Sequence, residues 1–168
     1  MMLGISGTPG CGKSTVAGVL ASRGHRIVQV TDTVADYIIG DDDERDTQVV
    51  DVDAWAEDFK PVDGIVEGHM AHFLPCDRLV LLRCRPDILS ERLRLRGYHE
   101  EKVQENAEAE ALDVILVEAL ENLPPEKILE LDATSASPEE LAVMIEEFMS
   151  GERPPSHGSF DWSSYLVP

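Results

Sequence analysis

The segment Gly7-Thr-Pro-Gly-Cys-Gly-Lys-Ser-Thr15 constrains this chain more than any other. It has the spacing Gly-x4-Gly-Lys-Ser and lies between an apolar run at residues 3–6 and the helical pattern Val16, Val19, Leu20. A strand, a glycine-rich turn and a helix in that order form an anion cradle. Glycines such as Gly10 and Gly12 let successive N–H groups turn inward, and the helix N-terminus adds positive potential at the same point. In such a loop Lys13 reaches the β- and γ-phosphates, Ser14 ligates Mg2+ and Thr15 is placed to hydrogen-bond the α-phosphate. Cys11 reads as a tolerated loop residue. Nucleotide binding follows from the loop; the reaction does not.

The rest of the chain alternates between the two periodicities. Strands are predicted at 26–30, 64–67, 78–84 and 127–131, the third nearly all apolar, as a strand buried on both faces should be. Helices are predicted from a Thr31 or Asp32 cap to residue 39, around 54–59, over 86–97 behind Pro86, over 99–122 as one long amphipathic element, and from Ser137-Pro138 to 149. Residues 40–46 read as a charged loop. The expected fold is α/β: a three-layer P-loop fold with a five-stranded parallel sheet flanked by helices. Residues 1–150 form the domain, and 151–168 a Pro/Ser-rich tail that is either flexible or docked through Phe160, Trp162, Tyr165 and Leu166.

Asp and Glu number 33 against 14 Lys and Arg, a net charge of −19 over 168 residues. Such a field repels nucleic-acid phosphates, so general nucleic-acid binding is not expected. It suits either a hydrated surface in a salty cytoplasm or a face for a basic partner. No apolar run reaches membrane-spanning length and no signal peptide is evident, which makes a cytoplasmic protein the expectation. Three separated cysteines fit neither a zinc site nor a disulfide framework.

Within so acidic a chain, Arg83, Arg85, Arg92, Arg94 and Arg96 crowd into one stretch. Arg92 and Arg96, four residues apart, share a helix face and could address one anion, whereas Arg94 reads as a partner for nearby glutamates. Glu67-Gly-His69 follows the predicted strand 64–67. An acid there can hold Mg2+ through water, and His69 at the sheet's C-terminal edge stands near the expected crevice. His72 is less securely placed. No Asn-Lys-x-Asp guanine signature occurs.

Taken in order, the phosphate loop, Ile65-Val-Glu-Gly-His69 with Phe73-Leu-Pro75, and Glu91-Arg-Leu-Arg-Leu-Arg-Gly-Tyr98 followed by Lys102 and Glu105-Asn106 resemble the adenylate kinase isoenzyme-6 family, the CINAP-type kinases also involved in small-ribosomal-subunit maturation. The compact, acidic form is similar to archaeal members and would suit a salt-loving one. The resemblance implies short insertions, a nucleoside-monophosphate-binding region at about 29–48 and a lid at about 95–105. It implies ATP and Mg2+ held by Lys13, Ser14 and Thr15, Arg96 on the phosphates, Arg92 near adenine, and Glu67 and His69 in an Asp-x-His-like motif in which Glu replaces Asp. Residues 132–137 align with an adenine-facing loop. On the acceptor side Ala35 stands near where eukaryotic members can carry Arg, leaving Asp32 as the candidate.

The activity so implied is adenylate kinase or broad nucleoside monophosphate kinase chemistry, ATP + AMP to two ADP. Alongside it stands an ATPase role in small-subunit maturation and rRNA processing, with a basic platform protein as partner. A kinase of another small metabolite is a third reading, which the Arg-Gly-Tyr segment disfavours.

Overall fold

A computed structural model describes residues 1–45 and 47–166. In chain order its elements are β1 (Met2–Ser6), α1 (Lys13–Ser22), β2 (Ile27–Gln29), β3 (Ile38–Asp42), β4 (Thr47–Val50), α2 (Val52–Asp58), β5 (Gly64–Glu67), β6 (Arg78–Arg83), α3 (Pro86–Leu95), α4 (Glu100–Ala111), α5 (Val114–Asn122), β7 (Ile128–Asp132) and α6 (Pro138–Ser150). Five strands form one parallel sheet in the order β2-β5-β1-β6-β7.

Side chains along the central strands alternate between two cores. Leu3, Ile5, Val80, Leu82, Leu129 and Leu131 pack with residues of α1, α3 and α6. Met2, Leu79, Leu81 and Ile128 pack on the other face with Trp55, Leu116 and Ala119. Burial on both faces explains why β6 reads as a continuous apolar run. The chain order reverses direction across the sheet at β1, so the loops leaving β1 and β5 open into the crevice where α/β sheets bind ligands.

Helix ends follow local chemistry. Ser137 accepts from the Glu140 N–H at 3.1 Å while Glu140 Oε2 accepts from the Ser137 N–H at 2.8 Å, a reciprocal cap for α6. Pro86 occupies the first turn of α3, where its missing N–H is harmless.

Three expectations are corrected. The helix expected from residue 31 to 39 is instead two 3-10 turns, Val30–Asp32 and Ala35–Tyr37, leading into β3. The charged loop is the tip of an antiparallel β3–β4 hairpin, although Asp46 lies outside the described residues. The long helix 99–122 is broken at Asp113, whose φ is 56°. There the Asp113 carboxylate accepts from Arg83 Nη2 at 2.5 Å, and the tertiary ion pair overrides helical continuity.

The C-terminal segment docks on the body. Ser156 adds a parallel bridge beside Leu129, and Gly158 N–H donates to Glu130 Oε1 at 2.5 Å. The stacked rings of Phe160 and Trp162 then lie 5.8 and 5.1 Å over the Arg83 guanidinium. That cation–π contact gives the tail aromatics a buried partner. Among the described residues no helix is long and apolar enough to cross a membrane.

Candidate active site

The loop between β1 and α1 bends through Gly10 at φ 92° and Gly12 at φ 97°, left-handed conformations that glycine adopts without a Cβ clash. Lys13, 8% exposed, folds back over it: its ammonium donates to Gly7 O at 2.7 Å and Thr8 O at 3.2 Å. Burial lowers the Lys13 pKa, while Cys11, Glu67 and Glu110 draw it back up. Ser14 faces the crevice, and Thr15 lies in the first turn of α1 with an exposed side chain.

Glu67 ends β5 beside this loop. It is 3% exposed, and its Oε2 is the one buried side-chain polar atom without a hydrogen-bond partner among the described residues. Desolvation raises its pKa, with Lys13, Gln29 and Ser14 acting the other way. An unpartnered, desolvated carboxylate oxygen beside a serine hydroxyl fits a hydrated divalent cation, since Mg2+ keeps several waters and takes few protein ligands.

These groups line a cleft of about 1280 Å³ that also holds His69, Arg45, Arg96 and Lys102. His69 is open to the cleft; desolvation between the walls, then Lys13, hold its pKa below the ordinary histidine value, which favours the neutral ring at neutral pH. Arg96 is exposed just beyond α3, with no carboxylate within 4 Å among the described residues. Arg45 enters from the hairpin tip, and Lys102 Nζ donates to its carbonyl at 2.9 Å, joining hairpin and α4 across the cleft mouth. Arg45 escaped sequence reasoning because it sat in an acidic loop. Its one signal was being the only basic residue between Arg26 and Lys60.

The other predicted residues stand nearby. Arg92 donates to Ala133 O at 2.9 Å, Thr134 O at 3.0 Å and Gly10 O at 3.5 Å, tying the phosphate loop to the segment after β7. Asp32 is exposed and is not among the residues lining the cleft; Gln29 and Thr31, from the same stretch, are. Arg94 pairs with Glu100 at 2.6 Å on the surface, and Arg85 pairs with Asp87.

His72 is buried behind the site, with Nε2 2.8 Å from Glu118 and Nδ1 2.9 Å from Ser6 Oγ. Burial, with Lys13 adding to it, pushes its pKa down to about 4. Between pH 6.5 and 4 the unfolded chain therefore binds this proton and the folded one resists it. Stability present above pH 6.5 is lost as pH falls to 4 and the loss levels off below. The limit is about 3 kcal/mol, reduced by the Glu118 carboxylate. In urea melts at pH 7, 5.5 and 4, His72→Asn should flatten this part of the stability curve. Parallel curves for variant and wild type would contradict the assignment.

A five-stranded parallel sheet with a glycine-turned phosphate loop after its central strand, opening into a cleft lined by both basic and acidic side chains, defines a P-loop kinase fold. Residues 3–113 match a family model described as "AAA domain". A curated relative from Natronomonas pharaonis, named "Putative adenylate kinase", is 41% identical over 99% of this chain and 100% of its own length. A relative of the same name from Archaeoglobus fulgidus is 42% identical, covering 99% of this chain and 94% of the relative. Among solved structures, deoxyadenosine kinase from M. mycoides superposes with a TM-score of 0.61 at 14% identity, over 91% of this chain and 100% of that one, a likeness of fold. The chain belongs to this archaeal adenylate kinase family.

Proposed function

We propose that the protein is an adenylate kinase that transfers the terminal phosphoryl group of Mg·ATP to AMP, giving two ADP. The observation that carries this reading is a cleft at the mouth of the phosphate loop whose lining brings four cations together with several glutamates. Lys13 comes from the loop, Arg96 from the end of α3, Lys102 from α4 and Arg45 from the hairpin tip. At about 1280 Å³ it exceeds the range of roughly 300–1,000 Å³ usual for one small ligand, which suits two nucleotides. The names of the relatives point the same way.

In this reading the loop amides at Gly10 and Gly12 and the Lys13 ammonium hold the β- and γ-phosphates, and Thr15 serves the α-phosphate. Ser14 would hold Mg2+ directly and Glu67 through water, and the ion, when bound, would supply charge neutralisation to the phosphate oxygens. An AMP phosphate oxygen bonds to the γ-phosphorus as the β,γ-bridging bond breaks, and no base is required of the protein. Its task is alignment, charge neutralisation and exclusion of water. Arg96 meets the transferring group, and neutral His69 donates a hydrogen bond on the acceptor side. Arg92 steadies the adenine-facing segment at Ala133–Thr134. The stretch around 95–105 acts as the lid and the region 29–48 receives the monophosphate, with Asp32 at its outer edge.

A second reading, an ATPase acting in small-subunit maturation within the isoenzyme-6 subfamily, is favoured by charge. Between Lys102 and Lys127 there is no lysine or arginine, and the exposed acids of that stretch, Glu105, Glu108, Glu121 and Glu126, suit a basic partner. The same acidity suits a salt-rich cytoplasm. The two readings part on one test, whether ADP formation depends on AMP: the kinase needs it and the ATPase does not.

A further inference from the structure

Glu110, near the end of α4, is a buried carboxylate beside a site meant for polyanions. Negative charge there opposes phosphate binding unless it is neutralised and serves a purpose. Neutralisation is visible: Oε1 accepts from Arg83 Nε at 2.8 Å and from the Cys84 N–H at 3.0 Å. Oε2 accepts from the Thr8 hydroxyl at 2.5 Å, a short charge-assisted bond between two side chains 3% and 2% exposed.

Thr8 is the residue whose carbonyl receives both the Cys11 N–H at 3.1 Å and the Lys13 ammonium at 3.2 Å. Its side chain is therefore fixed from α4 while its main chain fixes Lys13. The opposite half of α4 carries Lys102 and Glu105 into the cleft, so one rigid helix spans from the cleft mouth to the back of the phosphate loop.

We infer that Glu110 is a positioning residue for the phosphate loop, acting through the Thr8 hydroxyl to hold Lys13 in the geometry that meets the nucleotide. Arg83 balances the Glu110 charge. Arg83 is in turn fixed by Glu130 and Asp113 and covered by Phe160 and Trp162, so the docked tail buttresses the loop at one remove.

The inference rests on the reading that this loop binds ATP phosphates, and its test keeps the two apart. ATP affinity is measured by calorimetry, and KM and kcat by ADP release, for wild type, Thr8→Val, Thr8→Ser, Glu110→Gln and the Thr8→Val/Glu110→Gln double variant. Thr8→Val, which removes the hydroxyl and keeps the shape, should weaken ATP binding about tenfold or more and lower kcat with it. Thr8→Ser should recover most of both. The double variant should be no worse than the poorer single one, because the Glu110 change reaches the loop through the Thr8 hydroxyl and has nothing to act on once that hydroxyl is gone. Thr8→Val binding ATP as wild type does, or losses that simply add, would overturn the role of Glu110 and leave the kinase reading standing. Wild type that binds ATP tightly yet transfers nothing to AMP, with Thr8→Val weakened, would overturn the kinase reading and leave Glu110 in place. If Glu110→Gln fails to fold, the Thr8→Val and Thr8→Ser pair decides alone.

Discussion

Lys13→Ala is expected to lower kcat by about 10²–10³-fold or more while the thermal midpoint stays within a few degrees of wild type. The catalytic half follows from the proposed reaction, in which Lys13 would place a positive charge, held in a largely water-excluded loop, where phosphoryl charge shifts. The stability half follows from its bonding. The ammonium is desolvated, and its hydrogen-bond partners are two main-chain carbonyls, Gly7 O and Thr8 O, that water entering the vacated space can reach. Removing a buried cation also removes its desolvation cost. Single-turnover ADP formation and a circular-dichroism melt on the same preparation check both halves. Retention of more than a tenth of the activity would remove Lys13 from the chemistry.

Arg83→Ala should have the opposite profile, a large loss of stability whose origin lies outside the cleft. Its guanidinium pairs with Glu110, Glu130 and Asp113, and the first two carboxylates are almost fully buried. Those neighbours raise the Arg83 pKa far above its usual value although desolvation opposes them, so the charge is permanent. Truncation strands two buried carboxylates and uncovers the Phe160–Trp162 stack. Breaking a buried pair on one side costs about 3–5 kcal/mol, which for a chain of this size lowers the melting midpoint by roughly 10 °C or more. A loss below about 1 kcal/mol at neutral pH, read from urea melts, would mean that water already reaches this cluster.

Arg83 also marks where sequence reasoning ends. Among the arginines crowded between residues 83 and 96, spacing pairs Arg92 with Arg96 on one anion but assigns nothing to Arg83, whose partners lie 27 to 47 residues away. What local chemistry dictates was legible. The phosphate loop needs only its glycines and lysine, β5 runs over Gly64–Glu67 as predicted, and α6 announces itself through Ser137 and Glu140. What tertiary contacts dictate was not. The break at Asp113 exists because Arg83 captures its carboxylate, against a hydrophobic stripe that reads as one helix. The β3–β4 hairpin uses Gly40 and a run of aspartates, residues poor in strand propensity, because it projects from the sheet rather than packing within it. Arg45 consequently reached the cleft unannounced, and Asp32, chosen for its position in sequence, faces solvent instead.

In the proposed reaction one cleft brings two nucleotides together for phosphoryl transfer. Its most direct test is ADP formation from Mg·ATP with and without AMP, in high KCl, with Lys13→Ala as the control. The rate should rise and saturate with AMP, with two ADP formed for each AMP consumed and almost none in the control. A slow rate indifferent to AMP would contradict it and identify an ATPase instead.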